Sequence, residues 1–127
     1  DPEYYHEIAR RIGCTNYQID KDSDLYSVLV TCDVLMTCYS TVGGEGVYFD
    51  KPLIILDYLQ QDFCGYLQEG VALQATNAQE LEFYIKGFLN GDIKIQKEAY
   101  EQFKTNYAYK IDGNVSKRCL DFIKGFK

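Results

Sequence analysis

Ser40 and Thr41, followed by Gly43, Gly44 and Glu45, are the residues of this chain whose types and spacing suit chemistry. They lie in Thr37-Cys-Tyr-Ser-Thr-Val-Gly-Gly-Glu45, and the apolar run Lys51-Pro-Leu-Ile-Ile-Leu56 follows shortly after. The pattern reads as a buried strand, a small-residue turn, a helix opened by glycines, and a second buried strand. Such a turn aims free backbone N–H groups and two hydroxyls at one point, and a phosphate is the ligand that suits it. Ser40 and Thr41 also fit a plain helix cap. The glycine pair favours the ligand, because each glycine costs about 1 kcal/mol against alanine inside a helix. A missing Cβ lets something large come close to the backbone. Glu45 falls outside the capping-box pattern, whose acid sits three residues after the cap, at a position held here by glycine. Its carboxylate suits either the helix dipole or the diol of a ribose.

The elements needed to position this turn are legible around it. Pro2, the Tyr4-Tyr5 pair, Ile8 and Ile12 predict a first helix ended by Gly13, and Tyr17-Gln-Ile19 is a short strand candidate. Asp22, Ser23 or Asp24 caps a helix through Leu25, Val28 and Leu29. Asp33 to Thr37 and Leu53 to Leu56 are apolar runs without alternation, which suits central parallel strands covered on both faces. A short helix fits between them, over Gly44 to Asp50. Val71 to Leu73 is a weaker strand, and Thr76 or Asn77 caps a helix carrying Leu81, Tyr84, Ile85, Phe88 and Leu89 to Gly91. Two further helices are predicted, over about residues 94–105 and 113–126. The chain therefore reads as a Rossmann-like three-layer α/β/α fold with a mostly parallel sheet and a helical C-terminal tail. Residues 1–91 form a partial Rossmann-like domain, and residues 92–127 are helices packed on it.

Composition removes several classes of function. The 127 residues are enough for one domain, and the net charge of -6 argues against nucleic acid, which demands clustered Lys and Arg. The five cysteines are dispersed and His6 is the only histidine, so no zinc site is expected. No cofactor is called for. Odd, scattered thiols predict a reducing compartment. The sequon Asn114-Val-Ser116 would matter only on a secretory route. No apolar run approaches the roughly 20 residues of a membrane span, and no signal peptide is visible. The start at Asp1-Pro2, with Met36 the only methionine, predicts a domain of a longer polypeptide.

Other residues invite plainer readings. Cys38, beside a helix start, could be a stabilised thiolate, but no base accompanies it and a free structural cysteine is the commoner case. His6, on the first helix, reads as an exposed or half-buried polar residue. Tyr58, Phe63, Tyr66 and Leu67 read as a loop packed on the core, Tyr100, Phe103 and Tyr107 as helix packing, and Asp112-Gly113 as a turn.

The stretch from Asp24-Leu-Tyr-Ser through Cys32-Asp-Val-Leu-Met-Thr-Cys-Tyr-Ser-Thr-Val-Gly-Gly-Glu to Lys51-Pro-Leu-Ile-Ile-Leu56 resembles the C-terminal donor-binding domain of GT-B-fold glycosyltransferases. It is most similar to the branch of CDP-glycerol glycerophosphotransferases and related capsular polysaccharide enzymes. Phe103 to Arg118, with its tyrosines, Asp112-Gly113, Ser116 and Arg118, resembles the close of those proteins. The resemblance implies that Ser40, Thr41 and the N–H groups of Val42, Gly43 and Gly44 hold a donor's diphosphate, and that Glu45 binds the ribose hydroxyls. Lys51-Pro52 would be the turn into the next strand. Cys38 stands where the family usually has Asp, and Asp1-Pro2 where it has His-Pro, which places catalytic competence in question.

The partners so implied are a nucleotide-activated sugar or polyol donor and an N-terminal domain of the parent protein. The parent would work in the cytoplasm, peripherally at the inner face of the membrane. The usual strand order of such a domain, 3-2-1-4-5-6, would leave the strand at Tyr17 to Ile19 without neighbours, so re-pairing, a homodimer or a swap is expected. A UDP-N-acetylglucosamine 2-epimerase-like domain and a non-catalytic, degenerate transferase module are the alternatives. The donor-site reading requires the bend to lie at a cleft, with its carboxylate neither in bulk water nor in an internal ion pair.

Overall fold

The computed structural model describes residues 1–57, 61, 62 and 64–126. Its elements are α1 (Pro2–Ile12), α2 (Leu25–Thr31), β1 (Leu35–Thr37), α3 (Val42–Tyr48), β2 (Leu53–Leu56), β3 (Ala72–Ala75), α4 (Ala78–Asn90), α5 (Lys97–Ala108) and α6 (Val115–Lys124). The strands form one parallel sheet in the order β1-β2-β3. This is an α/β fold of partial Rossmann-like character.

Local chemistry sets most boundaries. Asp1 accepts from the Glu3 N–H at 3.0 Å to open α1, and Gly13, at φ 70°, closes it. Asp24 caps α2 through the Ser27 N–H at 2.8 Å. At α4 the caps are reciprocal: Asn77 accepts from the Glu80 N–H at 2.9 Å, and the Glu80 carboxylate accepts from the Thr76 N–H at 2.8 Å. Lys51 turns the chain into β2 while its ammonium donates to the Val30 and Cys32 carbonyls at 2.6 and 2.9 Å. A cation thus meets the free carbonyls at the end of α2, where the helix dipole is negative.

Register sorts the sheet residues onto two faces. Leu35, Leu53 and Ala72 are level on one face, and Met36, Ile54 and Leu73 on the other. On the first face Leu53 and Ile55 pack with Val47 of α3 and with Tyr100 and Phe103 of α5 into one core cluster. On the second, α4 lies against β2 and β3, and Ile54 is fully buried. The C-terminal helix α5 therefore shares the core of the sheet, whereas α6 contributes no buried residue.

Two expectations fail. Residues 17–19 form no strand. The Tyr17 hydroxyl instead meets His6 Nδ1 at 2.7 Å, and Asp20 folds the following residues into a turn by accepting from the Asp22 and Ser23 N–H groups. A three-residue segment gains little from extension without a ladder beside it. Likewise β1 is an edge strand rather than a central one, and Met36 is 46% exposed because no described strand or helix covers it there. The last two helices also begin later than expected, at Lys97 and Val115.

Lys51→Met should lower unfolding free energy by about 1–3 kcal/mol, since two charge-assisted hydrogen bonds are lost; urea melts check it. A second expectation concerns alkali. Burial, with help from the Asp50 carboxylate, pushes the Tyr100 hydroxyl from 10.0 up to about 12. The unfolded chain therefore ionises first, so the stability contributed by neutral Tyr100 is complete below pH 10 and is lost towards pH 12. Tyr100→Phe should flatten that fall in urea melts across this interval.

Candidate functional site

The turn between β1 and α3 is held from within. Ser40 Oγ accepts from the Val42 N–H at 3.2 Å, and the Ser40 carbonyl accepts from the Gly43 N–H at 3.1 Å. The Gly44 N–H reaches the Thr41 carbonyl at 3.0 Å and the Tyr66 hydroxyl at 2.9 Å. That hydroxyl in turn donates to the Ser40 carbonyl at 3.1 Å. Every N–H expected to face a phosphate thus has a partner inside the protein. Thr41 differs: it stands at the cap position, is exposed, and makes no side-chain cap bond.

The glycines have a local cause as well. A Cβ on Gly43 would lie 2.8 Å from Tyr66 Cε2 and 3.2 Å from Leu53 Cδ2. The large group that approaches the backbone here is the Tyr66 ring. Gly44 is less confined, its nearest neighbour to such a Cβ being the Tyr66 hydroxyl at 3.4 Å. Tyr66 is 5% exposed, and burial raises the pKa of its hydroxyl. As expected of it, Tyr66 packs on the core; Leu67 is half-buried, and Tyr58 and Phe63 lie outside the described residues. What the sequence did not reveal is that Tyr66 also fixes the turn, a contact spanning 26 residues to Ser40.

Beside this turn lies a cavity of about 470 Å³ lined by Thr41, Gly44, Glu45, Tyr48, Cys64, Tyr66, Phe103 and Tyr107. Glu45 is half-buried on the first turns of α3. Its Oε2 is shut off from solvent and has no hydrogen-bond partner among the described residues. No ion pair among the described residues engages it. A desolvated carboxylate oxygen without a donor is unfavourable by about 1–3 kcal/mol or more, so a bound hydroxyl or N–H would relieve it. Among the described residues, none in the lining is basic. The cavity therefore suits an uncharged, hydroxyl-bearing group better than a phosphate.

On the other side of the turn, a polar network closes the carboxyl ends of the strands. Asp57, fully buried just after β2, accepts from the Tyr39 hydroxyl at 3.2 Å and from Gln74 Nε2 at 3.0 Å. Burial, then the Asp57 charge, raises the Tyr39 pKa. Parallel α/β sheets present ligand-binding loops at this end. Only the position of Asp57, directly after an apolar run, could have marked it in the sequence. Cys38 is exposed, without a described base, and His6 is occupied by Tyr17. Among the described residues no His, Cys, Asp and Glu side chains gather in a group able to hold a metal ion. Nor is any helix there long and apolar enough to cross a membrane.

The sequence matches the family described as CDP-Glycerol:Poly(glycerophosphate) glycerophosphotransferase over residues 2–125. The chain belongs to that family. No curated protein and no solved structure is significantly similar to it. Within the glycerophosphotransferase family match lie both the turn at 40–45 and the α5 wall of the cavity.

Tyr66→Phe keeps the ring over Gly43 but leaves the Gly44 N–H short of a partner and the Ser40 carbonyl with one fewer donor. It should lower stability by about 1–3 kcal/mol and speed hydrogen exchange at Gly44, as followed by amide NMR. Unchanged exchange there would contradict the bridging role.

Proposed function

We propose that this chain is the donor-binding part of a transferase that moves glycerol phosphate, or a related sugar or polyol phosphate, from a nucleotide diphosphate during synthesis of a cell-surface polymer of teichoic-acid type. The observation carrying the proposal is that Glu45 lines the cavity while its Oε2 is buried without a hydrogen-bond partner among the described residues. Family membership supplies the chemical class. In this reading Glu45 accepts the ribose hydroxyls. Thr41, whose side chain makes no cap bond, leads the phosphate contacts at the mouth. Ser40 and the N–H groups of Val42, Gly43 and Gly44 complete them once the ligand competes with Tyr66 and Ser40 for those donors. The acceptor and the general base come from the other half of a GT-B enzyme, working on the cytoplasmic side of the membrane.

A degenerate, non-catalytic module is the second reading, and the internal use of the Val42, Gly43 and Gly44 N–H groups favours it. The epimerase-like alternative gains no support from the family match. Calorimetry of the folded chain with CDP, UDP and GDP separates the two. The donor-site reading expects heat with at least one nucleotide, abolished by Glu45→Ala and by Thr41→Asp. Because the Glu45 oxygen is unpaired, Glu45→Gln should leave the melting temperature unchanged or raise it, a trade of stability for function. A folded wild-type chain silent towards all three nucleotides would overturn the donor-site reading.

A further inference from the structure

We infer that the cavity between α3 and α5 receives the nucleoside half of the donor, with the ring of Tyr107 as the platform on which the base stacks. The inference rests on the donor-site reading and adds to it which part of the ligand enters the cavity and which residue senses the base.

Charge decides the first point. Among the described residues, Glu45 is the only formally charged one in the lining, which contains no lysine, arginine or histidine. A diphosphate inside such walls would meet a carboxylate at low dielectric with no cation to offset it, an arrangement that like charges disfavour strongly. A neutral ligand carrying hydroxyls instead supplies what Glu45 Oε2 lacks, a donor. The phosphates then remain outside, towards exposed Thr41.

Geometry decides the second. Tyr107 is 55% exposed, yet its ring is held by a stacking neighbour and through its hydroxyl. It stacks on Phe103 at 4.5 Å between centroids with 25° between planes, and its hydroxyl donates to Glu69 Oε1 at 3.1 Å. Phe103 beneath it is 3% exposed and belongs to the core. An exposed aromatic ring usually retains rotamer freedom, and binding must then pay for ordering it. Here the ordering is already done by a buried neighbour and a carboxylate. A flat, prepositioned ring in the lining of a cavity is a surface that a planar base can stack on. The C-terminal helix α5 is thereby part of the site as well as of the core.

The test uses the intact chain with CDP, cytidine, ribose 5-phosphate and pyrophosphate, titrated into wild type, Tyr107→Ala, Tyr107→Phe and Glu45→Gln. Cytidine should compete with CDP, and pyrophosphate should bind Glu45→Gln no more weakly than wild type. Tyr107→Ala should weaken CDP by about tenfold or more without changing ribose 5-phosphate, while Tyr107→Phe keeps CDP affinity. In ligand NMR the cytosine H5 and H6 resonances should move upfield with wild type and not with Tyr107→Ala. Unchanged CDP affinity in Tyr107→Ala, or an equal loss for ribose 5-phosphate, overturns the stacking platform while the Glu45 site stands. Wild type that binds neither CDP nor ribose 5-phosphate overturns both.

Discussion

The hydroxyl of Tyr66 holds two backbone groups of the 40–44 turn at once, accepting from Gly44 and donating to Ser40, while its ring fills the space over Gly43. Because the ring belongs to the same cluster as Leu53, Ile55 and Phe103, the start of α3 is pinned to the sheet core rather than to solvent. With that turn fixed, the direction of the following helix is fixed, and with it the burial of Glu45. A freer turn would let the Glu45 carboxylate swing out to water. The clamp is what makes an unpartnered carboxylate oxygen sustainable.

Two polar arrangements therefore flank the strand ends, and they differ in kind. Around Asp57 the donors are supplied by the protein, from Tyr39 and Gln74. Around Glu45 Oε2 they are not. Satisfied buried networks rigidify a fold, whereas an unsatisfied group is a reservoir that a ligand can draw on. That cavity, beside the β1–α3 turn, lies within the stretch that matches the glycerophosphotransferase family.

Elements with their own local chemistry were legible in the sequence. Pro2, the cap candidates at Asp22 to Asp24 and at Thr76 or Asn77, and the stop signals Gly13 and Gly91 all act within a few residues of themselves. The short helix that carries the glycine pair, and the β2 run, were legible for the same reason. The segment at residues 17–19 was not, because a strand exists only in its ladder. Met36 was misread as covered, since an apolar run does not tell an edge from a centre. At the site, the Tyr66 ring lies against Gly43, a contact that the sequence did not show. Tyr66 comes to the turn from 22 positions away in sequence, and Tyr107 joins the cavity lining from further still, and periodicity carries no information at that range. Tyr107 in particular has the spacing of a packing residue, and only its exposure and its fixed orientation distinguish it.

The claim that Glu45 waits for a diol is tested most directly by removing the partner from the ligand instead of from the protein. Calorimetry should compare CDP with 2′,3′-dideoxy-CDP on wild type and on Glu45→Gln. The account predicts that deoxygenation weakens binding to wild type by about tenfold or more, as loss of a charged hydrogen bond would, and that most of this penalty disappears in Glu45→Gln. An equal penalty in both proteins, or none in wild type, would contradict it.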